Sequence, residues 1–189
     1  MFQPVDIGLL GALALPVLAS HTWGDHPFQS SVWAKFKGEC SNRGRLACAK
    51  HTAVIVGLRA LAVGLVLAVT ATVPDPLAIA VGLGFTGWSH YWADRRYTLL
   101  GLWRAIGRQE FAALGTPRPG RDDNPSLGSG AYRLDQDFHT LFLAVSALLM
   151  SSTGWMLALL TAGATALMAA AILASRHGRR LQALDRTPA

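Results

Sequence analysis

The sequence predicts an all-α integral membrane protein, a bundle of five transmembrane helices with an interfacial helix in the third connection. Three observations carry this reading. Apolar residues make up 51% of the chain and charged residues only 15%, against about a quarter charged in an ordinary soluble domain. The apolar residues gather into runs long enough for a crossing, which takes roughly 20 residues. The basic residues behind the formal net charge of +6 fall between those runs, where topology signals sit, so no nucleic acid partner is expected. At 189 residues the length is that of one domain.

The first helix is expected over about 5–25, with Pro16 inside it, which a membrane helix with neighbours tolerates. Its apolar core has the length of a signal-peptide core. Asp6 precedes it and no Lys or Arg does, so it reads as a retained helix rather than a cleaved leader. Residues 26–50 are polar and basic, with Lys35, Lys37, Arg43, Arg45 and Lys50. Cys40 and Cys48 lie here; cytoplasmic exposure would keep them reduced. Zinc held by Cys40, Cys48 and His51 is an alternative short of the usual four protein ligands.

The second helix is expected over about 49–73, stopped by Pro74-Asp75-Pro76. The third covers about 77–97. Over 99–114, Leu99, Leu102, Trp103, Ile106 and Ala113 alternate with Arg104 and Arg108, the pattern of a helix lying in the headgroup layer. Residues 116–130, rich in Pro, Gly, Asp and Ser, read as a mobile loop. The long apolar stretch after Thr140 is divided by Ser151-Ser152-Thr153-Gly154 into helices over about 132–150 and 155–175. Ala158, Ala162, Ala166 and Ala170 form a stripe that would let a neighbouring backbone approach closely. Residues 176–189 read as a basic tail.

Every Lys and Arg except Arg59 falls in the first long loop, in the third connection or at the helix ends beside it (Arg95, Arg96, Arg133), or in the tail. The positive-inside rule then places the N-terminus outside and the C-terminus in the cytoplasm of a multi-pass cell-membrane protein.

One chemical pattern recurs on this frame. His21 and Asp25 are four residues apart, as are His90 and Asp94, each pair ending an apolar run. The pair returns reversed as Asp135 and His139 at the start of another run, and His51 opens the second. Residues four apart share a helix face. Antiparallel helices bring all seven residues, His21, Asp25, His51, His90, Asp94, Asp135 and His139, to one membrane face, the cytoplasmic one.

Three carboxylates together repel, and burial raises the cost of ionising them. Divalent cations relieve both, and imidazole with carboxylate suits Zn, Mn or Fe better than Mg or Ca. The expectation is a site for two ions, with Gln29, Gln136, Ser20 and Ser89 as partners of the ligands. The competing reading is a set of His–Asp hydrogen bonds that staples the bundle without metal. His26 and His177 read as interfacial histidines, and Asp137 faces the loop. Arg59, two turns into the second helix, either pairs with a site aspartate, reaches a substrate phosphate, or snorkels.

The ordered set His21, Asp25, Gln29, Lys37, His51, His90, Asp94, Leu134, Asp135, Gln136 and His139 resembles a bacterial and phage membrane-protein family known as domain of unknown function 3307. His26-Pro27 departs from the aromatic expected after Asp25. The resemblance implies a bacterial inner-membrane setting and no established activity. A weaker likeness, of membrane setting and His/Asp usage, is to inner-membrane metal-dependent hydrolases. The expected function is hydrolysis of a lipid or lipid-linked phosphate, with Arg59, Arg95 and Arg96 as candidate anion-binding groups and membrane lipids as partners. The alternatives are a metal-stapled scaffold without turnover and, last, a metal or proton transporter, since the ionisable groups gather on one side.

Overall fold

Asp6 opens the first helix by accepting a hydrogen bond from the Leu9 amide, and Asp75 does the same for Leu77 at the start of the fourth. Both helices run 19 residues and both end on the aspartate of a His-x3-Asp pair. In the computed structural model, which describes residues 5–116 and 128–184, the chain is helical, with no strand among the described residues. The elements are α1 (Ile7–Asp25), α2 (Ser31–Phe36), α3 (Asn42–Thr70), α4 (Pro76–Asp94), α5 (Tyr97–Ala105), α6 (Gln109–Ala113), α7 (Gly130–Met150) and α8 (Gly154–Leu184).

Four long helices form a ring in the order α1, α3, α4, α7, and α8 lies outside it against α5, α7 and α4. The ring is built twice from one plan. Asp6, His21 and Asp25 of α1 recur 69 positions later as Asp75, His90 and Asp94 of α4. Ser41, which caps α3, and His51 recur 88 positions later as Ser129, which caps α7, and His139. Short helices bridge each pair: α2 in the first unit, α5 and α6 in the second. The His-x3-Asp ends of α1 and α4 therefore meet the third turns of α3 and α7 at one end of the ring.

Below that end the core is apolar. Phe142 stacks on Phe138 and Phe85, with ring centroids 4.3 and 5.6 Å apart, and Leu13, Val17, Val63 and Met150 fill the far side. Gly82 lets α4 lie against α7, because a side chain there would strike the Ser146 carbonyl and Met150. Large apolar side chains such as Leu15, Leu61, Leu65, Val69, Leu159 and Leu173 stay exposed. α1, α3 and α8 are long and apolar enough to cross a membrane. α4 and α7 are not among these: α4 ends in Ser89, His90 and Asp94 and α7 carries Arg133, Asp135 and Asp137, and several of these polar residues belong to the site described below.

Several boundaries differ from the sequence reading. The second long helix begins at Asn42 rather than 49, because the Ser41 hydroxyl caps the Gly44 amide, and it ends at Thr70 where Ala71 turns left-handed. The polar 26–50 segment contains α2, capped by Ser30. The helix expected over 77–97 stops at Asp94, since Arg96 adopts φ 52°. The single helix expected over 99–114 is two, broken at Gly107, φ 71°. Residues 176–184 are the end of α8, not a tail: Ser175 donates to the Thr98 carbonyl at 2.6 Å, and Gly178 meets the Gly101 backbone. The stripe Ala158, Ala162, Ala166 and Ala170 is exposed; α8 packs through Leu157, Ala164, Met168, Ser175 and Gly178 instead. Most of the loop expected over 116–130, residues 117–127, lies outside the described residues, as do 185–189.

Candidate metal centre

A helix face repeats every three to four residues, so each His-x3-Asp pair presents both side chains to the ring interior. The ends of α1 and α4 then interleave with His51 of α3 and His139 of α7. His51 Nε2 lies 2.9 Å from Asp25 Oδ1 and 3.1 Å from Asp94 Oδ2. His90 Nε2 lies 3.2 Å from Asp94 Oδ2, 3.8 Å from Asp25 Oδ1 and 3.1 Å from His51 Nε2. Two ligand atoms placed tetrahedrally at about 2.0–2.1 Å from one zinc-like ion stand about 3.3 Å apart. Asp25, His51, His90 and Asp94 thus converge as one ion's ligands do, and all four are buried.

A second group, Asp94, Asp135 and His139, shares Asp94 with the first. His139 is 4% exposed and Asp135 26%, so the second group opens toward solvent. Gln136 ties the two together, donating to Asp25 Oδ2 at 3.3 Å and to Asp135 Oδ2 at 3.2 Å. His21 belongs to neither group. Its ring stacks on His139 at 4.9 Å, and its Nε2 is 3.7 Å from Asp25 Oδ2. Both its ring nitrogens, and Nε2 of His139, are buried without a hydrogen-bond partner. Buried polar atoms are otherwise nearly always paired, so these nitrogens mark room for a ligand such as a cation.

Lys37, which follows α2, is the site's unexpected member. It is 6% exposed, with Nζ 2.8 Å from Asp94 Oδ1 and 3.8 Å from Asp25 Oδ1. Burial by itself pulls the ammonium's pKa down; the Asp94 and Asp25 carboxylates more than reverse this and hold it above the ordinary lysine value. Within the basic loop its charge looks like one more topology marker, and only the family resemblance singled it out.

A cavity of about 450 Å³ opens onto the cluster. Lys37, Asp94 and Asp135 reach its wall, Leu99, Leu100 and Trp103 of α5 give it an apolar side, and Tyr132 lines it as well. His26, read as merely interfacial, holds Tyr132 there: its Nε2 accepts from the Tyr132 hydroxyl at 2.8 Å while Nδ1 donates to the Thr22 carbonyl at 3.0 Å. The Trp103 indole Nε1 and the Gln29 Oε1 are buried without partners. Gln29 otherwise donates to the Asp25 carbonyl at 2.8 Å.

The arginines divide. Arg96 lines the cavity and is steadied by the Ala34 carbonyl at 2.9 Å. Arg95 turns away and donates to the Glu39 carbonyl, pinning the α2–α3 connection. Arg59 neither snorkels nor pairs with a site aspartate. It is 1% exposed and bonds Thr86 Oγ1 at 2.9 Å, the Val17 carbonyl at 3.3 Å and Ser20 Oγ at 3.4 Å. Ser20 and Ser89 donate to carbonyls of their own helices, so neither positions a ligand. Asp137 pairs with Arg133 on the surface, 2.9 Å away. Cys48 is buried with its thiol on the Tyr91 carbonyl and Cys40 is exposed; neither joins His51 in a ligand group among the described residues.

No protein-family model matches this chain, and neither a curated protein nor a solved structure shows significant similarity to it.

Proposed function

We propose that the chain is a membrane-embedded metal-dependent hydrolase of a lipid or lipid-linked phosphate, a member of the domain of unknown function 3307 family in a bacterial inner membrane. In this reading α1, α3, α4, α7 and α8 all cross the bilayer, with the N-terminus outside and the cluster and C-terminus on the cytoplasmic side, as the basic connections favour. One observation carries it: unpartnered buried imidazole nitrogens of His21 and His139 lie behind three aspartates that line a partly apolar cavity. The donor set suits two ions of Zn, Mn or Fe. Such ions, when bound, supply a water-derived nucleophile at neutral pH and stabilise charge on the phosphoryl oxygens.

The chain's own residues do the rest. Asp94 belongs to both ligand groups and fixes their spacing. Gln136 holds the Asp25 and Asp135 carboxylates in register. Lys37 and Arg96 present cationic donors to an anionic headgroup, and the Trp103 N–H supplies a neutral one. Leu99 and Leu100 flank the same space and suit the apolar part of an amphiphile.

One observation favours the scaffold reading: Lys37, His51 and Asp25 already form a bonded network around Asp94. Asp94→Asn separates the two. In the hydrolase, metal-dependent turnover of lipid phosphate falls by orders of magnitude and the fold survives. In the scaffold, the same change or a chelator lowers the melting temperature and no lipid phosphate is ever turned over. Reporter fusions at both termini check the topology; a C-terminal reporter active outside the cytoplasm overturns it.

A further inference from the structure

We propose that the centre keeps one resident divalent cation and takes up its second only together with a phosphate dianion, because Lys37 and Arg59 already supply fixed positive charge. This rests on the metallohydrolase reading above.

Two observations carry it. The first is the inequality of the two ligand groups. Asp25, His51, His90 and Asp94 offer four buried donors, the closed set of a resident ion. Asp94, Asp135 and His139 offer three, one of them already spent on the first group and one on the cavity wall. A three-donor set leaves a coordination position for an oxygen from outside the protein.

The second is charge. The cluster's three carboxylates share its interior with two buried cations: Lys37, bonded to Asp94, and Arg59, which bonds neutral groups and no aspartate and borders a void shared with His90 and His139; Arg96 lines the cavity but is exposed to solvent. The fixed groups therefore carry one net negative charge. A single divalent ion turns this to one net positive charge. A second raises it to three, in surroundings where uncompensated charge is costly. A dianionic phosphate removes most of that excess and brings the missing oxygen. The two units of the ring are alike in His and Asp, so geometry alone would give two like ions. Lys37 of the first unit and Asp135 of the second break that likeness, and with it the equality of affinities.

The test uses the full chain in phosphatidylcholine nanodiscs titrated with Mn²⁺, read by elemental analysis and by paramagnetic resonance, which separates an isolated ion from a coupled pair. The expected result is one tight ion per chain with an isolated-ion spectrum. With inorganic phosphate, or with phosphatidate in the nanodisc, a second ion binds at least tenfold tighter and the coupled spectrum appears. Whichever phosphate acts at the lower concentration is the source the site takes. Lys37→Met is expected to bind the second ion at least tenfold tighter without phosphate; Lys37→Arg keeps the phosphate requirement. Two ions bound equally well without phosphate, or one ion whether or not phosphate is present, overturns the inference and leaves the metal site standing. A folded Lys37→Met protein with unchanged second-ion affinity also overturns it. Should Lys37→Met not fold, the phosphate dependence of the wild-type chain decides alone. No ion bound under any condition overturns the metallohydrolase reading itself.

Discussion

Removing the Lys37 ammonium leaves Asp94 and Asp25 facing one another with no cation between them. Breaking a buried pair from one side costs about 3–5 kcal/mol, so Lys37→Met is expected to lower the melting temperature of metal-free protein and to recover when Mn²⁺ or Zn²⁺ is added. The pH dependence has a definite sign. The Lys37 pKa is raised on folding, so its stabilisation is complete below the ordinary lysine value and fades only as pH rises through the folded one. Thermal melts of the metal-free wild type should show that loss at alkaline pH only, and Lys37→Met should lack it. Arg59→Ala leaves a cavity and strips Thr86 of a buried partner, an expected loss of about 3 kcal/mol by denaturant titration. At this scale the sequence was informative wherever chemistry repeats at helical spacing: each His-x3-Asp pair announces its own face. It did not give the partners of Lys37, His26 and Arg59, which lie 57, 106 and 27 positions away, separations that no local pattern encodes.

The helices themselves were legible as apolar runs, and their ends were not. Ser41 starts α3 a full two turns before the apolar run does, which puts His51 inside the helix rather than at its tip. Ser41→Ala is expected to cost about 1 kcal/mol and to fray that first stretch, seen as faster amide exchange. The end of α8 was misread because its last turns are polar. What holds them is α5, through Ser175 and the meeting of Gly178 with Gly101, a tertiary contact with no signature in either segment alone. Gly178→Val drives a branched side chain into the Gly101 backbone, and overpacking of this kind costs about 1–3 kcal/mol. Protease cleavage beyond Ser175 should accelerate in that variant and leave α1 and α3 untouched. The alanine stripe of α8 would permit a close approach, but the approach happens on another face, through Ala164, Ser175 and Gly178.

The ring as a whole repeats itself, yet no single period exposes this in the sequence, because the offset changes from 69 to 88 across the longer connection of the second unit. Each unit ends one helix on His-x3-Asp and carries a histidine at the tenth position of the next. Neither unit holds a complete ligand set, since His51 of the first bonds Asp94 of the second. Cutting the chain within Pro74-Asp75-Pro76 should therefore be tolerated when both pieces are made together. Co-expressed fragments are expected to co-purify from membranes with the metal content of the intact chain, while either alone binds none. Viewed as history rather than as architecture, this is the layout of a gene copied end to end. A half-length chain of that kind, pairing with itself, would have the histidines and aspartates for a symmetric centre. Fusion would let the copies differ, one by Lys37 and the other by Asp135, a difference that a self-paired half could not keep.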